Sequence, residues 1–397
     1  MTCTLADLGM VNALGTCREE IWPRLIGGDQ SGLALRDDFG PGVSHLFGAV
    51  QGELPEIPAS LARYACRNNQ LALAALEAIR NSVAAALRSF GAARVAIVVG
   101  TSTSGISSAE LAFRERARSG RLSSTFEIVQ LEFGGLAEFL AETSGAGGPC
   151  YTLATACSAG AKALVSARTL LELDLCDAVI AGAVDSLCGL TANGFGALQA
   201  LARGLSNPMS RNRDGINLGE GAALFLVTRE SGAIGLLGAG ESNDAHHMSA
   251  PEPEGRGAEA CMRAALADCG ARAEDIAYLN LHGTGTPHND AMESVAVDRV
   301  FGRAIPCSST KPLVGHTLGA SGAIEVGFCW MMLSHREDGV LTPPPHRWDE
   351  EADAELPPLA LVKPGTRIDA GPAAAVMSSS FGFGGSNCAL VIGDVRT

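Results

Sequence analysis

The sequence predicts an α/β protein, a sheet with helices on both faces. Three features carry that prediction: short, wholly apolar segments closed by glycine or polar turns, alanine-rich runs with helical spacing between them, and recurrence of this alternation over all 397 residues. Strands buried on both faces read as continuous small-apolar runs. Arg94–Gly100 (RVAIVVG) and Asp177–Val184 (DAVIAGAV) read that way.

The chain opens with LGMVNALG (8–15), a strand and turn, then EEIWPRLIGGDQSG. Residues 34–70 mix prolines with polar residues and predict an irregular surface excursion. The periodic run NQLALAALEAIRNSVAAALRSF predicts one long helix over about Asn69–Phe90. Arg94–Gly100 is a buried strand closed by the polar run TSTSGISS (101–108), and residues 109–148 read as helices ending at SGAGGP. A short strand, Cys150–Thr155, turns at Cys157 into the helical run AGAKALVSARTLLEL, and Asp177–Val184 follows. The turn region 206–221 leads to the strand Ala222–Val227.

The second half repeats this grammar. Strands are expected at 234–240, 277–282, 305–308, 359–361, 373–377 and 388–392, with helices at 259–269, 290–301 and 320–333. The proline-rich LTPPPHRWDEEADAELPP (341–358) reads as an external loop. A division at 1–230 and 231–397 separates two sets of similar α/β units.

Composition narrows the function. With 43 acidic against 29 basic residues the net charge is −14, which argues against nucleic-acid or anionic-membrane binding. It leaves room for an acidic protein to dock on a local basic patch. The 12 cysteines are scattered with no C-x-x-C pair, as for reduced thiols in a cytoplasmic protein rather than a metal centre. The N-terminal segment has no basic region followed by an apolar core, and no apolar run reaches the ~20 residues that span a bilayer. A soluble cytoplasmic protein is expected.

Four stretches could carry chemistry. A strand turning into a helix at Cys157, beside Ser158, Ala159, Gly160 and Ala161, puts a thiol with open surroundings at a helix N-terminus, where the thiolate is favoured. Locally the same pattern also suits a small buried hydrophobe. His282-Gly-Thr-Gly-Thr-Pro-His-Asn-Asp290 ends a strand with an imidazole and two hydroxyls, those of Thr284 and Thr286. In the third, Ser309–Glu325, His316 precedes an apolar helix, with Lys311 before it and Glu325 after. Ser380–Asn387 (SFGFGGSN) sets phenylalanines in a glycine loop. Two neutral imidazoles could stabilise an enolate while a thiolate holds an acyl group.

Taken together, these motifs resemble the elongating β-ketoacyl-acyl carrier protein synthases of the thiolase superfamily. The likeness runs through LGMVNALG, TACSAGAKAL, RDGINLGEGAA, NDAHHMSAPEPEG, HGTGTPHND, KPLVGHTLGASGAIE and FGFGGSN. It implies a five-layered αβαβα fold of two related halves, normally a dimer. It also implies decarboxylative Claisen condensation of malonyl carrier protein with an acyl chain held as a thioester on Cys157. His282 and His316 would stabilise the enolate, and the amides of Cys157 and Phe383 the tetrahedral oxyanion. Lys311 and Glu325 would form a supporting pair near His316. Thr284 and Thr286 would bond the phosphopantetheine arm, and Phe383 would gate the site. Since the resemblance gives both histidines to the malonyl half-reaction, the helix terminus is left to activate the thiol.

The second histidine separates this chain from the chain-initiating branch, which has asparagine there. No metal or organic cofactor is implied. The expected partners are acyl carrier protein and a second subunit, as homodimer or as heterodimer with a related chain. TSTSGISS resembles the acyl-pocket wall, and a specialised polyketide or polyene pathway, aryl polyene among them, is expected beside fatty-acid synthesis. The alternatives are a chain-length-shaping subunit and a coenzyme A-dependent thiolase with Cys388 as base. Two departures stand out: a short 204–213 loop, and Ser386 where threonine is common. Arg63, Arg67, Arg203, Arg211 and Arg213 are candidates for carrier docking.

Overall fold

The computed structural model describes residues 3–40, 44–230 and 232–395; residue 231, where the second half is expected to begin, lies outside them. One sheet of 11 strands runs in the order Ala360–Leu361, Pro306–Ser308, Tyr278–Asn280, Ala375–Gly382, Ser386–Asp394, Ile234–Asn243, Cys3–Val11, Gly221–Thr228, Ala178–Asp185, Val95–Gly100, Cys150–Leu153. Cys150–Leu153, Val95–Gly100 and Ala178–Asp185 are parallel, and Gly221–Thr228 and Cys3–Val11 continue the sheet antiparallel. The other side follows the same plan: three parallel strands (Pro306–Ser308, Tyr278–Asn280, Ala375–Gly382), then Ser386–Asp394 and Ile234–Asn243 antiparallel. Within the sheet, among the described residues, the two sides pair through Cys3 and Thr4 against Leu236 and Gly235.

Helices fill three layers around this sheet. Arg67–Ala78 and Gly134–Ser144 bury their apolar faces on the first half's outer side, with Leu71, Leu76, Phe139 and Leu140 in the core. Arg256–Cys269 and Pro287–Phe301 do the same on the second half. Between the halves lie Ala159–Glu172 and Ser321–Ser334, and the largest core joins residues of both. The central helices cross at glycines: a methyl on Gly160 would sit 2.7 Å from Ala323 N, and one on Gly322 2.8 Å from Ala161 N. Only glycine permits this approach. It brings the N-terminal ends of the two helices together, and with them the segments holding Cys157 and His316. Among the described residues no helix is long and apolar enough to cross a membrane.

Three expectations need correction, and one helix was missed. The expected helix over 69–90 is two, Arg67–Ala78 and Arg80–Phe90, because Ile79 leaves helical dihedrals (φ −109°, ψ 10°). Ile79 still packs beside Leu76 and Val83, so the apolar spacing runs through the break and hides it. Residues 34–70 are not wholly irregular: Leu33–Arg36 pairs with His45–Gly48, which in turn pairs with Leu218–Gly219. That last partner is remote in sequence, so local pattern cannot reveal it. The helix Gly189–Ala197 (GLTANGFGA) was not foreseen, since its three glycines disfavour helix. Finally, the proline-rich 341–358 stretch dives inward, burying Pro343–His346. His346 Nδ1 accepts the Ser309 N–H at 3.1 Å, and its Nε2 lies 3.0 Å from Pro208 O.

Candidate active site

The turn before the central helix Ala159–Glu172 aims the cysteine. Ala156 takes a left-handed conformation (φ 51°) and Ala159 N–H bonds back to its carbonyl at 3.0 Å. A side-chain-bearing residue pays about 1–2 kcal/mol there, so the surrounding structure must hold it. The result sets the buried Cys157 Sγ 3.0 Å from His316 Nε2. Its thiol is pushed up to about 11 by burial, against the pull of the Lys311 charge and the Phe383 N–H; Asp185 and Glu325 push it further up. A helix terminus is worth about 0.3–1 kcal/mol and at most ~2. Two pK steps are about 2.7 kcal/mol. Burial therefore wins, and the resting group is a protonated thiol hydrogen-bonded to an imidazole. The helix terminus does not activate it alone; His316 Nε2 is the acceptor within reach.

His282 follows the strand Tyr278–Asn280 by two residues, its ring edge-on to that of His316 with centroids 5.4 Å apart. Ligand atoms of Cys157, His282 and His316 all lie within 4.8 Å of one another. The Lys311 ammonium lies 3.3 Å from His282 Nδ1, bonds to the His282 carbonyl, and pairs with Glu325 at 2.5 Å. The ammonium has only hydrogens to offer, so Nδ1 is the acceptor and Nε2 carries the ring proton. The pair's direct contacts are thus with His282 rather than with His316, beside which the sequence reading set it. Burial and the Lys311 charge hold both histidines well below their ordinary range, so both are neutral. Such a trio could chelate a soft metal, but the Lys311 charge opposes a second cation. His316 Nδ1 has no hydrogen-bond partner among the described residues, so nothing fixes its tautomer as Lys311 fixes that of His282.

Glu293, which sequence reasoning missed, clamps the His282 turn. Its carboxylate accepts His282 N–H at 2.7 Å and Gly283 N–H at 2.6 Å. Burial pushes Glu293 up to about 8. Its neighbour Asp290 accepts Met209 N–H at 2.8 Å and Gly285 N–H at 3.2 Å, tying the short 204–213 loop to the same turn. A charged residue on the buried face of Pro287–Phe301 was the available signal.

A cavity of about 290 Å³ opens onto the trio, lined also by Thr284, Thr286, Phe195 and Phe383. The two threonine hydroxyls lie 2.9 Å apart. Phe383 is 40% exposed and leans on Phe195, and the two glycines after it, Gly384 and Gly385, take φ of 81° and 75°. Gly382 lies against the nucleophile's backbone, where a methyl would come 3.3 Å from Cys157 N. Ser386 keeps a hydroxyl contact to Ser158 at 3.0 Å. TSTSGISS does not line this cavity; Thr101 and Thr103 are buried around Asp185. The candidate docking arginines all have acidic partners within the chain: Arg63 with Glu142, Arg67 with Glu220, Arg203 with Asp214, Arg211 with Glu351 and Arg213 with Asp353. Cys388, the base required by the thiolase alternative, is fully buried in the sheet with its thiol pushed well up by burial.

Comparison with known proteins gives the same picture. Residues 48–233 match the family described as "Beta-ketoacyl synthase, N-terminal domain", and residues 235–344 its C-terminal domain. The chain is 30% identical over 410 residues to 3-oxoacyl-[acyl-carrier-protein] synthase 2 of Staphylococcus aureus, covering 98% of this chain and 99% of that protein. It is 36% identical to the synthase 2 of Rhizobium meliloti (strain 1021) over 62% of this chain, which spans 61% of that protein's length. Among solved structures, a chain of the ketosynthase ApeO in complex with its chain length factor ApeC, from Xenorhabdus doucetiae, superposes with a TM-score of 0.93 at 40% identity, covering 99% of this chain and 98% of that one. A β-ketoacyl synthase from Burkholderia phymatum STM815 gives 0.86 at 28% identity, with full coverage of both chains.

Proposed function

This chain belongs to the β-ketoacyl synthase family, and on that premise we propose that it elongates carrier-bound acyl chains by decarboxylative Claisen condensation. The observation that carries the mechanism is the differing support of the two histidines: Lys311 fixes His282, while His316 shares a hydrogen bond with the nucleophile. In the first half-reaction Cys157 passes its proton to His316 Nε2 and attacks the acyl thioester of the carrier protein. The acyl group moves to sulfur, and the released phosphopantetheine thiol takes the proton. In the second, malonyl carrier protein loses carbon dioxide, and the ring N–H groups of His282 and His316 hold the enolate oxygen. The enolate carbon attacks the acyl carbonyl, whose oxyanion rests on the amides of Cys157 and Phe383. Collapse expels the sulfur as thiolate, which takes a proton from solvent to restore the resting thiol, and leaves a β-ketoacyl chain two carbons longer on the carrier. His316 serves as acceptor first and donor second, as its unfixed tautomer allows.

Thr284 and Thr286 bind the pantetheine arm in this reading, and Phe383 swings off Phe195 as the acyl chain loads. Likeness to a ketosynthase that works with a chain length factor favours a heterodimer and a polyketide or polyene pathway, aryl polyene included, over housekeeping fatty-acid synthesis. The reactive trio makes this the catalytic subunit rather than the silent one. The twelve unpaired cysteines suit a reducing cytoplasm. The two sheet halves correspond to 1–230 and 231–397, supported by the shared strand plan.

Intact mass after incubation with acyl carrier protein tests the reading. Wild type should gain the acyl mass, Cys157→Ser should not, and His282→Ala should gain it yet fail to extend with malonyl carrier protein. Extension by Cys157→Ser would sink the proposal.

A further inference from the structure

Asp185 ends the strand Ala178–Asp185 and is completely buried, yet neither the trio nor the cavity uses it. Its Oδ1 accepts Thr101 Oγ1–H at 2.9 Å, Ser102 N–H at 2.7 Å, Thr103 N–H at 2.8 Å and Thr103 Oγ1–H at 2.7 Å. Its Oδ2 reaches into the other half and accepts Ala320 N–H at 3.1 Å. Three segments therefore converge on one carboxylate: the loop 101–105, the strand end, and the turn 318–320. Contact there is tight, for a methyl on Gly319 would sit 2.8 Å from both Asp185 Oδ2 and Ser102 Oγ. The turn is also strained, with Leu318 at φ 53°, a conformation that leucine rarely takes unaided. His316 lies two residues before it. Its backbone is pinned on the far side, His316 N–H to Asn217 O at 2.6 Å and Gly219 N–H to His316 O at 2.9 Å. Asp185 supplies the opposing anchor.

We propose that Asp185 is the positioning residue for His316, holding the 318–320 turn so that the imidazole meets Cys157 Sγ. Buried charge-assisted hydrogen bonds are among the stronger ones and are costly to leave half-made. In Asp185→Asn one oxygen becomes an NH₂ group. If it faces Ala320, two donors oppose each other; if it faces the loop, four donors lose their acceptor. In the first case the turn loses its acceptor outright; in the second the oxygen still meets Ala320 N–H, but the four bonds that seat Asp185 against the 101–103 loop are gone, so the anchor itself is loosened, and in both cases the volume stays the same.

The inference rests on the proposed role of His316 as acceptor of the thiol proton, and alkylation of Cys157 by iodoacetamide tests it without any acyl substrate. Failure of the condensation reading would leave this readout intact. Asp185→Asn should alkylate at least tenfold more slowly at neutral pH, with half-maximal rate reached at higher pH, in protein that keeps its circular dichroism. Leu140→Ala, a truncation in the outer helical core, is the control for lost stability alone and should alkylate within about twofold of wild type. An unchanged rate in Asp185→Asn would overturn the proposal, as would equal losses in both variants. So would a faster rate, because the Asp185 charge also opposes ionisation of Cys157 and its removal would then be the dominant effect.

Discussion

At the scale of single residues, the site keeps its thiol and both imidazoles neutral beside a charged Lys311. A buried thiol at about 11 beside a neutral imidazole gives up its proton by transfer rather than by standing ionised. Burial also lifts the two carboxylates nearest the histidines, Glu325 to about 7 against the pull of the Lys311 charge and Glu293 to about 8. For Glu293 the linkage sign is definite. A carboxyl that titrates near 4.5 when unfolded and near 8 when folded stabilises the fold fully below 4.5 and loses that contribution as pH climbs through 8. The loss is on the order of a few kcal/mol. The melting temperature of wild type relative to Glu293→Gln should therefore fall steadily from pH 5 to pH 8.5 and then level. A difference that does not change with pH would mean that Glu293 is ionised throughout. Both carboxylates sit on helices whose apolar spacing is legible, but burial of a glutamate is decided by what it faces.

At the scale of elements, the reaction depends on how closely two helices approach. Ala159–Glu172 and Ser321–Ser334 touch through Gly160 and Gly322, and the glycine contacts place the thiol and the second imidazole at neighbouring helix ends. Gly160→Ala forces a methyl to within 2.9 Å of Ala323 Cβ, so the helices must part. Overpacking of this kind costs about 1–3 kcal/mol, and the parted ends lengthen the thiol–imidazole contact. Differential scanning calorimetry should show the lost stability, and acyl-enzyme formation should slow severalfold. Melting at the wild-type temperature would show that the crossing has slack. The sequence displayed both helices with good boundaries. It did not display the crossing, because a glycine in a helix says nothing about which neighbour needs the space. The missed break at Ile79 has a similar origin, since a residue can leave the helix and keep its place in the core.

At the scale of the whole molecule, the sheet is unfinished. It ends at Cys150–Leu153, which pairs with Val95–Gly100 through Pro149 O and Leu153 O, so the Thr152 N–H points outward. An unpaired edge is a template for another strand, and a second ketosynthase-like subunit is the partner expected of this family. Proline at 152 removes that outward donor without touching the inward bonds. Light scattering on Thr152→Pro should report a monomer where wild type is a dimer. A variant that stays dimeric would place the interface elsewhere. The paired arginines belong to this scale too. Each has an acidic partner within the chain, so a carrier protein docking here would share or compete for those arginines with an internal carboxylate.

The sequence by itself determined the strand–helix alternation, the four motifs and therefore the family. Each of these is written in contiguous residues whose spacing reports which groups share a strand end or helix face. Tertiary structure alone decided which atom of each residue meets which. It gave Lys311 to His282, placed His316 on the thiol, folded the proline-rich stretch inward and tied both halves to Asp185. Those outcomes depend on segments far apart in the chain and on the balance of burial against charge, and neither quantity exists until the chain has packed.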